Sequence, residues 1–559
     1  MSDREMKTQV ERVAEWIVDL RFSDIPENAI SLAKLQILDL IAAICAGSTS
    51  LGGKRVRQCV ERTCAHGPCT VIPDGDALSI FDAVYLHAAL ANALELDNLV
   101  FMGHVSQSAV SVPLALGQDL DADGKDLLTA QIAAVEVAGR MGAHLASGPQ
   151  QGHMRTYLHL VAAATAASRL LRLSVQETAT ALAIALSMPE FPLYPAVFSP
   201  DTKIVCTSAP AVAGIRAAFL AAAGLDAARD IVEHAAGFIR HFSYATTVPD
   251  LWARIGRTWS IFALSSKNSA ACAYAQGPVA AALDLASSGD ISIDLITEVE
   301  IHAPLTTVVM ESFSASHLGA DITPVNTNFS TRRSVSAALH SGNLDGSFFD
   351  ADSFSTNASH IKSIYGKTRL IHDWGMTVDL IRGMDDAIEG AGRPGVFGMN
   401  QTHKTLKNFH REFGSERPPG WRSLPGLTGL TAEDRNYLFT RYWRGLRAYL
   451  PFTGGKAERD GYVAFEKDLS RLSFRQAGRV VVKHRDGTTH SAQCRVPPGF
   501  AGDPSRESTI RTKYDRETSR IVGKARTQTI RDAVDSLPDV TARQLLSCLA
   551  NGDRTTKVG

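Results

Sequence analysis

Paired cysteines, aromatic side chains and an excess of either charge are all scarce in this chain of 559 residues. The eight cysteines are scattered singly rather than framed for disulfides, and Phe, Trp and Tyr make up 7% of the residues. Lys and Arg (57) nearly balance Asp and Glu (58), which leaves a formal net charge of -1. A balanced charge gives no general attraction for nucleic acid or for an anionic membrane, so we expect neither as a partner.

Targeting and cofactor signals are also missing from the sequence. The start, MSDREMKTQVERVAEW, is charged and lacks the apolar segment of a signal peptide, and no run of about 18 uncharged apolar residues predicts a membrane span. Together with the unpaired cysteines, this favours a cytoplasmic location. There is no Walker loop, dinucleotide fingerprint or nucleophile elbow, and the cluster Cys59, Cys64, His66 and Cys69 has gaps that do not suit zinc. By elimination, we expect chemistry that uses neither a metal nor a cofactor.

The pattern of apolar residues divides the chain into three parts and predicts a mainly α fold. Alanine is common between residues 84 and 284, and helical periodicities there are joined by short connections. One of these helices is opened by the capping box Ser174–Glu177. Together these patterns predict an all-helical bundle over residues 1–285. Residues 297–302 alternate like a strand and Asp486-Gly487 predicts a hairpin, so we expect a smaller α+β domain over residues 286–500, with a long insertion at about 353–470. Helical patterns return over residues 501–559 and are expected to pack back on the bundle.

One stretch, residues 91–106, breaks the apolar pattern of the bundle. A long apolar run ends there in Glu95 and Asp97, and His104 follows shortly before the next apolar run. Charged groups between apolar helices are normally paired or used, so these three residues are candidate functional groups. The structural alternative is that the two carboxylates merely end one helix while His104 caps the next.

Further polar residues lie at helix ends or in connecting loops of the same region, namely His153, Lys203 and Lys267. Carboxylates, imidazoles and ammonium groups suit proton transfer on an anionic substrate, because histidine titrates near neutrality and lysine can bind a carboxylate. Each residue alone also has a structural interpretation, His153 as a solvated loop residue and Lys203 as a surface charge.

Several motifs, taken in order, resemble the MmgE/PrpD family, which contains dehydratases, decarboxylases and epimerases. Residues 114–128, LALGQDLDADGKDLL, are similar to the family's L-A-L-A-E-x-x-x-x-S-G-K-x-L-L and follow His104 at the family's distance. Glu136 and Arg140 resemble its G-Y-E-x-x-x-R helix, residues 203–214 its T-K-x-x-x-x-G-x-A-A stretch, and Lys267 with Cys272 its K-x-Y-P-x-C motif. The resemblance covers roughly residues 5–345 and 475–550.

The resemblance implies a homodimer whose subunits have a large helical domain and a smaller α+β lid, with a site between them that uses neither metal nor cofactor. The family's acidic D-x-D-D-T segment falls on residues 95–99, its next histidine on His104, its loop histidine on His153 and its lysine on Lys203. Three positions depart from the family: Asn98 replaces an aspartate, Leu99 stands where a hydroxyl is usual, and Gln276 replaces a further histidine. Glutamine can orient a substrate but cannot transfer a proton at neutral pH.

The sequence therefore predicts a cofactor-free lyase that removes water or carbon dioxide from a small carboxylic acid. Lys203 is expected to neutralise a substrate carboxylate, His104 and His153 to exchange protons, and Asp97 or Glu95 to orient a histidine. The predicted substrate-binding residues are Lys267, Gln276 and Asn98. Two alternatives stay open: an isomerase or epimerase that removes and returns one proton, and a scaffold or binding protein that has kept the fold without the chemistry.

Overall fold

The fold is described from a computed structural model, which places residues 7–101, 103–144, 154–190, 192–198, 200–243, 250–315, 318–319, 321–385, 387, 429–448 and 469–549. His153 and much of the predicted insertion, including residues 388–428 and 449–468, lie outside the described residues.

Helices dominate the described chain, which confirms the mainly α prediction. Those of the first 242 residues are α1 (Gln9–Asp19), α2 (Glu27–Thr49), α3 (Leu51–Thr63), α4 (Ile80–Asn92), α5 (Ser106–Ala109), α6 (Ser111–Asp119), α7 (Gly124–His144), α8 (Leu158–Leu170), α9 (Val175–Ser187), α10 (Ser208–Ala222) and α11 (Phe238–Phe242). The Ser174 hydroxyl accepts from the N–H of Glu177, and the Glu177 carboxylate accepts from the N–H of Ser174, so the predicted capping box opens α9. Alanine-rich faces let α7, α8, α9 and α10 pack closely, and α2 runs through the core against α4.

Among the described residues, two helical segments are long and apolar enough to cross a membrane by length and composition alone, Glu27–Thr49 and Asp201–Ala222. The prediction of no membrane span required a run of about 18 apolar residues without any charge, which is a stricter criterion. Within the protein, 89% of the first apolar window and 56% of the second is buried, so α2 serves here as a core helix.

The second part of the chain combines helices with a four-stranded sheet. The helices are α12 (Gln276–Ser287), α13 (Leu305–Ala315), α14 (Pro324–Phe329), α15 (Thr331–Ser341), α16 (Ala351–Tyr365), α17 (Trp374–Asp385) and α18 (Ala432–Ala448). Short strands that lie outside this sheet come earlier in the chain, namely β1 (His66–Thr70), β2 (Ala77–Leu78), β3 (Asn98–Val100) and β4 (Leu264–Ser266). The four-stranded sheet itself is built from β5 (Ile296–Ala303), β6 (Thr368–His372), β7 (Gly478–His484) and β8 (Thr489–Cys494). Its order is β6-β5-β7-β8, with only the β5–β6 pair parallel. The predicted hairpin is β7–β8, and Gly487 supplies the positive φ (90°) that its turn needs.

Two further contacts position the candidate site. Strand β3 pairs antiparallel with β4, so that Asn98 lies opposite Ser266 although 168 positions separate them in the chain. The last helices, α19 (Arg506–Val522), α20 (Lys524–Asp535) and α21 (Ala542–Ser547), return to the bundle, where α19 packs along α2. The chain segments before β3 and after β4 are therefore held side by side beneath the last part of the chain.

Candidate active site

The acidic segment predicted from the sequence forms a tight turn between α4 and β3. Helix α4 ends at Asn92, and Glu95 adopts a left-handed φ of 56°, which is unusual for a residue other than glycine. Such a conformation costs on the order of 1–3 kcal/mol and persists only when surrounding contacts fix it. Beyond β3, Gly103 lies so close to α8 that a Cβ atom there would be 2.6 Å from the Leu158 side chain. The sequence between α4 and His104 is therefore constrained at both ends.

Five charged or titratable side chains form a continuous row, which we call the charge row: Lys203, Glu95, Lys267, Asp97 and His104. Lys203 Nζ forms an ion pair with Glu95 Oε1, and Lys267 Nζ lies 2.8 Å from Glu95 Oε2 and 2.7 Å from Asp97 Oδ1. Asp97 Oδ2 lies 2.5 Å from Nδ1 of His104. Cations and anions alternate along the row, and it ends on an imidazole.

Burial and charge together fix the protonation of three members of the row, Glu95, Asp97 and Lys267. Burial opposes ionisation of Glu95, but Lys203 and Lys267 outweigh it and lower the pKa of this carboxyl to about 2. Burial likewise opposes ionisation of Asp97, yet Lys267 and His104 hold its pKa well below the usual range. Burial lowers the pKa of Lys267, but Asp97 and Glu95 raise it above its ordinary value. Both carboxylates are therefore ionised at neutral pH and Lys267 is protonated.

Only the histidine end of the row is open to its surroundings. The His104 side chain is 23% exposed, whereas the exposed fraction is 0% for Asp97 and Lys267 and 4% for Glu95 and Lys203. Asp97 Oδ2 also accepts a hydrogen bond of 2.9 Å from Gln107 Nε2, which fixes the carboxylate plane. A neutral His104 that donates Nδ1–H to Asp97 carries its lone pair on Nε2, so the row selects one tautomer. The arrangement suits a group that gives or takes a proton through Nε2.

Lys203 forms the other end of the row, where the helical domain meets the second part of the chain. Its Nζ forms the ion pair with Glu95, donates to the backbone oxygen of Asn92, and lies 5.5 Å from the centroid of the Phe329 ring on α14. A protonated lysine has three N–H donors, and among the described residues the third donor of Lys203 has no acceptor. Next to it is an apolar wall, defined by Val197, Phe198, Cys272, Val325 and Phe329. An anion that reached this N–H would have the apolar wall beside it.

The remaining predicted site residues are placed differently. Gln276 donates to the backbone oxygens of Ser269 (2.9 Å) and Ala271 (2.8 Å) and accepts from the Ser269 N–H, so its amide holds the loop after Lys267. Asn98 donates to Asp39 Oδ2 (2.8 Å) and accepts from the Ser106 hydroxyl. Both amides are thus used inside the protein, and a substrate contact by either stays a prediction that this geometry does not favour. Lys267 is wholly enclosed by the two carboxylates, and the predicted role of His153 lies outside the described residues.

Sequence reasoning missed a second buried ion pair directly behind the charge row. Lys513 of α19 lies 2.9 Å from Asp39 of α2, and both side chains are fully buried. Asp39 carried the same signal that singled out Glu95, because it is a lone carboxylate within the apolar run LQILDLIAAIC. Lys513 carried none, since α19 is rich in charged residues.

A metal ion does not suit the charge row as it is arranged. Glu95, Asp97 and His104 bring one potential ligand atom each within 4.8 Å of one another. Both carboxylates are already paired with the ammonium groups of Lys203 and Lys267, which would repel a divalent cation. The donor set is therefore better described as an acid–base site than as a metal centre.

Comparisons with known proteins match part of this chain to one family. Residues 11–249 match the family model described as the MmgE/PrpD N-terminal domain, which includes four of the five residues of the charge row. Cis-aconitate decarboxylase of Aspergillus terreus is 26% identical over 286 residues, 48% of this chain and 58% of that protein. Human cis-aconitate decarboxylase is 28% identical over 243 residues, 42% of this chain and 50% of that protein.

A third relative, a cis-aconitate decarboxylase-like protein of Aspergillus oryzae, is 26% identical over 185 residues, 31% of this chain and 38% of that protein. The matches thus span about half the length of the curated relatives, or less. The family match lies within the first 249 residues, which contain four of the five residues of the charge row. Over residues 11–249, this chain is therefore similar, in a divergent form, to the N-terminal domain of the MmgE/PrpD family.

Proposed function

We propose that this protein is a lyase that acts on a small carboxylic acid, most directly a decarboxylase, and that its own side chains supply the acid–base groups without a cofactor. The observation that carries the proposal is the Asp97–His104 pair at the one open end of a row otherwise fixed by two lysines. A structural ion-pair network would not need to end on a partly exposed, oriented imidazole. The named activity of the curated relatives supports the same class of reaction.

Substrate binding follows from the charges of the row. With Glu95 and Asp97 ionised and both lysines protonated, the row is neutral when His104 is neutral and carries one positive charge when His104 is protonated. A carboxylate that accepts the third N–H of Lys203 gains an attraction on the order of 4 kcal/mol at 4 Å, for an effective dielectric constant of about 20. A second carboxylate of the same acid would be drawn towards protonated His104. The row therefore favours di- or tricarboxylic acids over monocarboxylic ones.

Decarboxylation needs a place for the leaving carboxylate and a proton for the carbon it leaves. The bond between that carbon and the carboxylate breaks, carbon dioxide departs, and the electron pair stays on the carbon. Protonated His104 donates the Nε2 proton to this carbon and then recovers a proton from water. The apolar wall assists the first step, because an ionised carboxylate is poorly solvated beside Phe198 and Phe329 whereas neutral carbon dioxide is not.

Dehydration and epimerisation use the same histidine in its neutral form. Nε2 would then remove a proton from the carbon beside a carboxylate held by Lys203, and a further acid would release a hydroxyl or return the proton. These stay as alternatives, because the charge row contains one histidine rather than two.

The non-catalytic alternative rested on departures from the family at Asn98, Leu99 and Gln276. All three are buried, both amides have partners within the protein, and none is a member of the charge row. The departures therefore leave the proposed acid–base groups intact, which supports the enzyme over a scaffold. The homodimer and the cytoplasmic location predicted from the sequence remain predictions.

The test is turnover of a panel of di- and tricarboxylic acids, cis-aconitate among them, followed by mass change and by release of carbon dioxide. His104→Gln is expected to lower kcat at least about 100-fold, because a positioned acid–base group typically contributes 10²–10⁴. The matched control is His302→Gln, since His302 is also partly buried beside a carboxylate, with Nε2 3.4 Å from Glu300 Oε2, but lies on β5 outside the charge row. No turnover of any acid, or equal activity of the two variants, would overturn the proposal.

A further inference from the structure

Lys513 of α19 is a fully buried lysine whose three N–H donors are all used behind the charge row. Its Nζ donates to Asp39 Oδ1 at 2.9 Å, to the Ser266 hydroxyl at 3.2 Å and to the backbone oxygen of Leu96. Burial disfavours the charged form and lowers the pKa of Lys513, and Asp39 opposes that effect. Three acceptors around one ammonium account for all of its donors.

Two of the three acceptors of Lys513 belong to segments that carry members of the charge row, and the third, Asp39, binds both of those segments. Leu96 is the residue between Glu95 and Asp97, and Ser266 directly precedes Lys267. Asp39 binds the other side of the same unit, because its Oδ2 accepts from Asn98 and its Oδ1 from Ser266. One ammonium group therefore holds the carbonyl of the acidic turn and, through Ser266, the strand that carries its lysine partner.

Two other cations of α19 bind the same strand segment. Arg506 donates to the backbone oxygens of Phe262 (3.1 Å) and Leu264 (3.0 Å), and Arg516 donates to that of Asn268 (3.0 Å). Residues 506, 513 and 516 are seven and three positions apart, a spacing that places them on one face of a helix. The three cations together fix the register of α19 against residues 262–268.

We propose that Lys513 is a positioning residue for the acid–base group: by holding the Leu96 carbonyl it sets the approach of Asp97 to His104. The catalytic consequence rests on the proposed function, whereas the geometric part does not. Lys513 contacts neither His104 nor Lys203, so it acts through the carbonyl of the acidic turn and through Ser266 beside Lys267. It also lies outside residues 11–249, so the family match does not include it.

The variant that tests this role is the double substitution Lys513→Met with Asp39→Asn. Lys513→Met alone would leave a buried, unpaired carboxylate and could prevent folding. The double variant removes both charges together, so it withdraws the Leu96 contact while the buried net charge stays the same. The matched control is Arg511→Met with Asp535→Asn, which removes an exposed ion pair between the same helix and α20.

The first measurement is the nuclear magnetic resonance signal of the His104 Nδ1 proton, assigned by its disappearance in His104→Gln. A short hydrogen bond to a carboxylate moves this proton far downfield, so the wild-type protein and the Arg511 control should both show it. In the folded Lys513 double variant the signal is expected to move upfield or to be lost through exchange. A folded double variant with an unchanged signal would overturn the positioning role, whether or not any acid is turned over.

The second measurement uses the acid that the wild-type protein turns over. The Lys513 double variant is expected to lose about tenfold or more in kcat while KM stays within about threefold, because the substrate contact at Lys203 is untouched and only proton transfer is misaligned. If the substitutions only reduced the amount of folded protein, the active concentration would fall, while KM and the Nδ1 signal of the folded fraction would stay unchanged. That result would contradict the proposal. Absence of turnover in the wild type would count against the proposed function alone.

Discussion

The acid sensitivity of the fold should depend on Glu95. Glu95 is buried between Lys203 and Lys267, which lower the pKa of its carboxyl from 4.5 to about 2. Because the folded-state pKa lies below that of the unfolded chain, ionised Glu95 stabilises the fold above about pH 4.5, and the contribution is lost as the pH falls towards 2. This difference of about 2.5 between the two pKa values corresponds to a contribution of about 3 kcal/mol to the free energy of unfolding, at 1.36 kcal/mol per pKa unit. Breaking a buried ion pair from one side costs a similar amount, about 3–5 kcal/mol.

The perturbation is Glu95→Gln, which keeps the shape of the side chain and removes its charge. Urea unfolding at pH 7, 5, 4 and 3 gives the free energy of unfolding of both proteins. We expect the variant to be less stable by about 3 kcal/mol at pH 7 and the difference to shrink steadily below about pH 4.5. The control Glu507→Gln removes an exposed partner of Arg511 and should cost at most about 1 kcal/mol at every pH. A difference between wild type and Glu95→Gln that is the same at pH 7 and pH 3 would refute this account of the charge row.

Three further outcomes follow from the same contacts. Lys203→Met should raise KM more than it lowers kcat, measured in steady-state kinetics, because the third N–H, which is proposed to receive the substrate carboxylate, is lost in ground and transition states alike. Phe329→Ala should admit water beside Lys203 and lower kcat for decarboxylation, whereas Phe313→Ala at the partly buried edge of the apolar wall should have a smaller effect in the same assay. Lys513→Met alone should reduce the free energy of unfolding by about 3–5 kcal/mol in urea titrations, and adding Asp39→Asn should recover part of that loss, because no buried charge is then left unpaired.

The sequence predicted those parts of the fold and site that depend on local patterns. The helices follow from apolar periodicity and from caps such as Ser174, and the hairpin follows from Asp486-Gly487. The two carboxylates that interrupt an apolar run predict Glu95 and Asp97 as site residues. The predicted role of their common partner Lys267 was that of a substrate contact, which differs from the ion pairs that it forms in the structure.

What the sequence could not predict depends on pairing between distant segments. Strands β3 and β4 have three residues each, too few to show alternation, so the approach of Asp97 to Lys267 has no local signature. Asp39 did carry a signal in the sequence, because it is a carboxylate within an apolar helix, but it was not among the predicted site residues. Lys513 gave no contrast with its charged neighbours, and only the packing of α19 on α2 reveals that this lysine is buried.

The pairing of Asp39 with Lys513 joins residues 474 positions apart, and this distance has a consequence for synthesis. While the nascent chain emerges from the ribosome, the alanine-rich helices, His104 and both lysines of the row are available long before α19. The turn at Glu95 then lacks the ammonium that holds its carbonyl, and α2 carries a buried carboxylate without its counter-ion. On the positioning role proposed for Lys513, translation must pass residue 513 before the charge row reaches its final arrangement, and a polypeptide that stops earlier would contain every residue of the row without the ammonium that holds its turn.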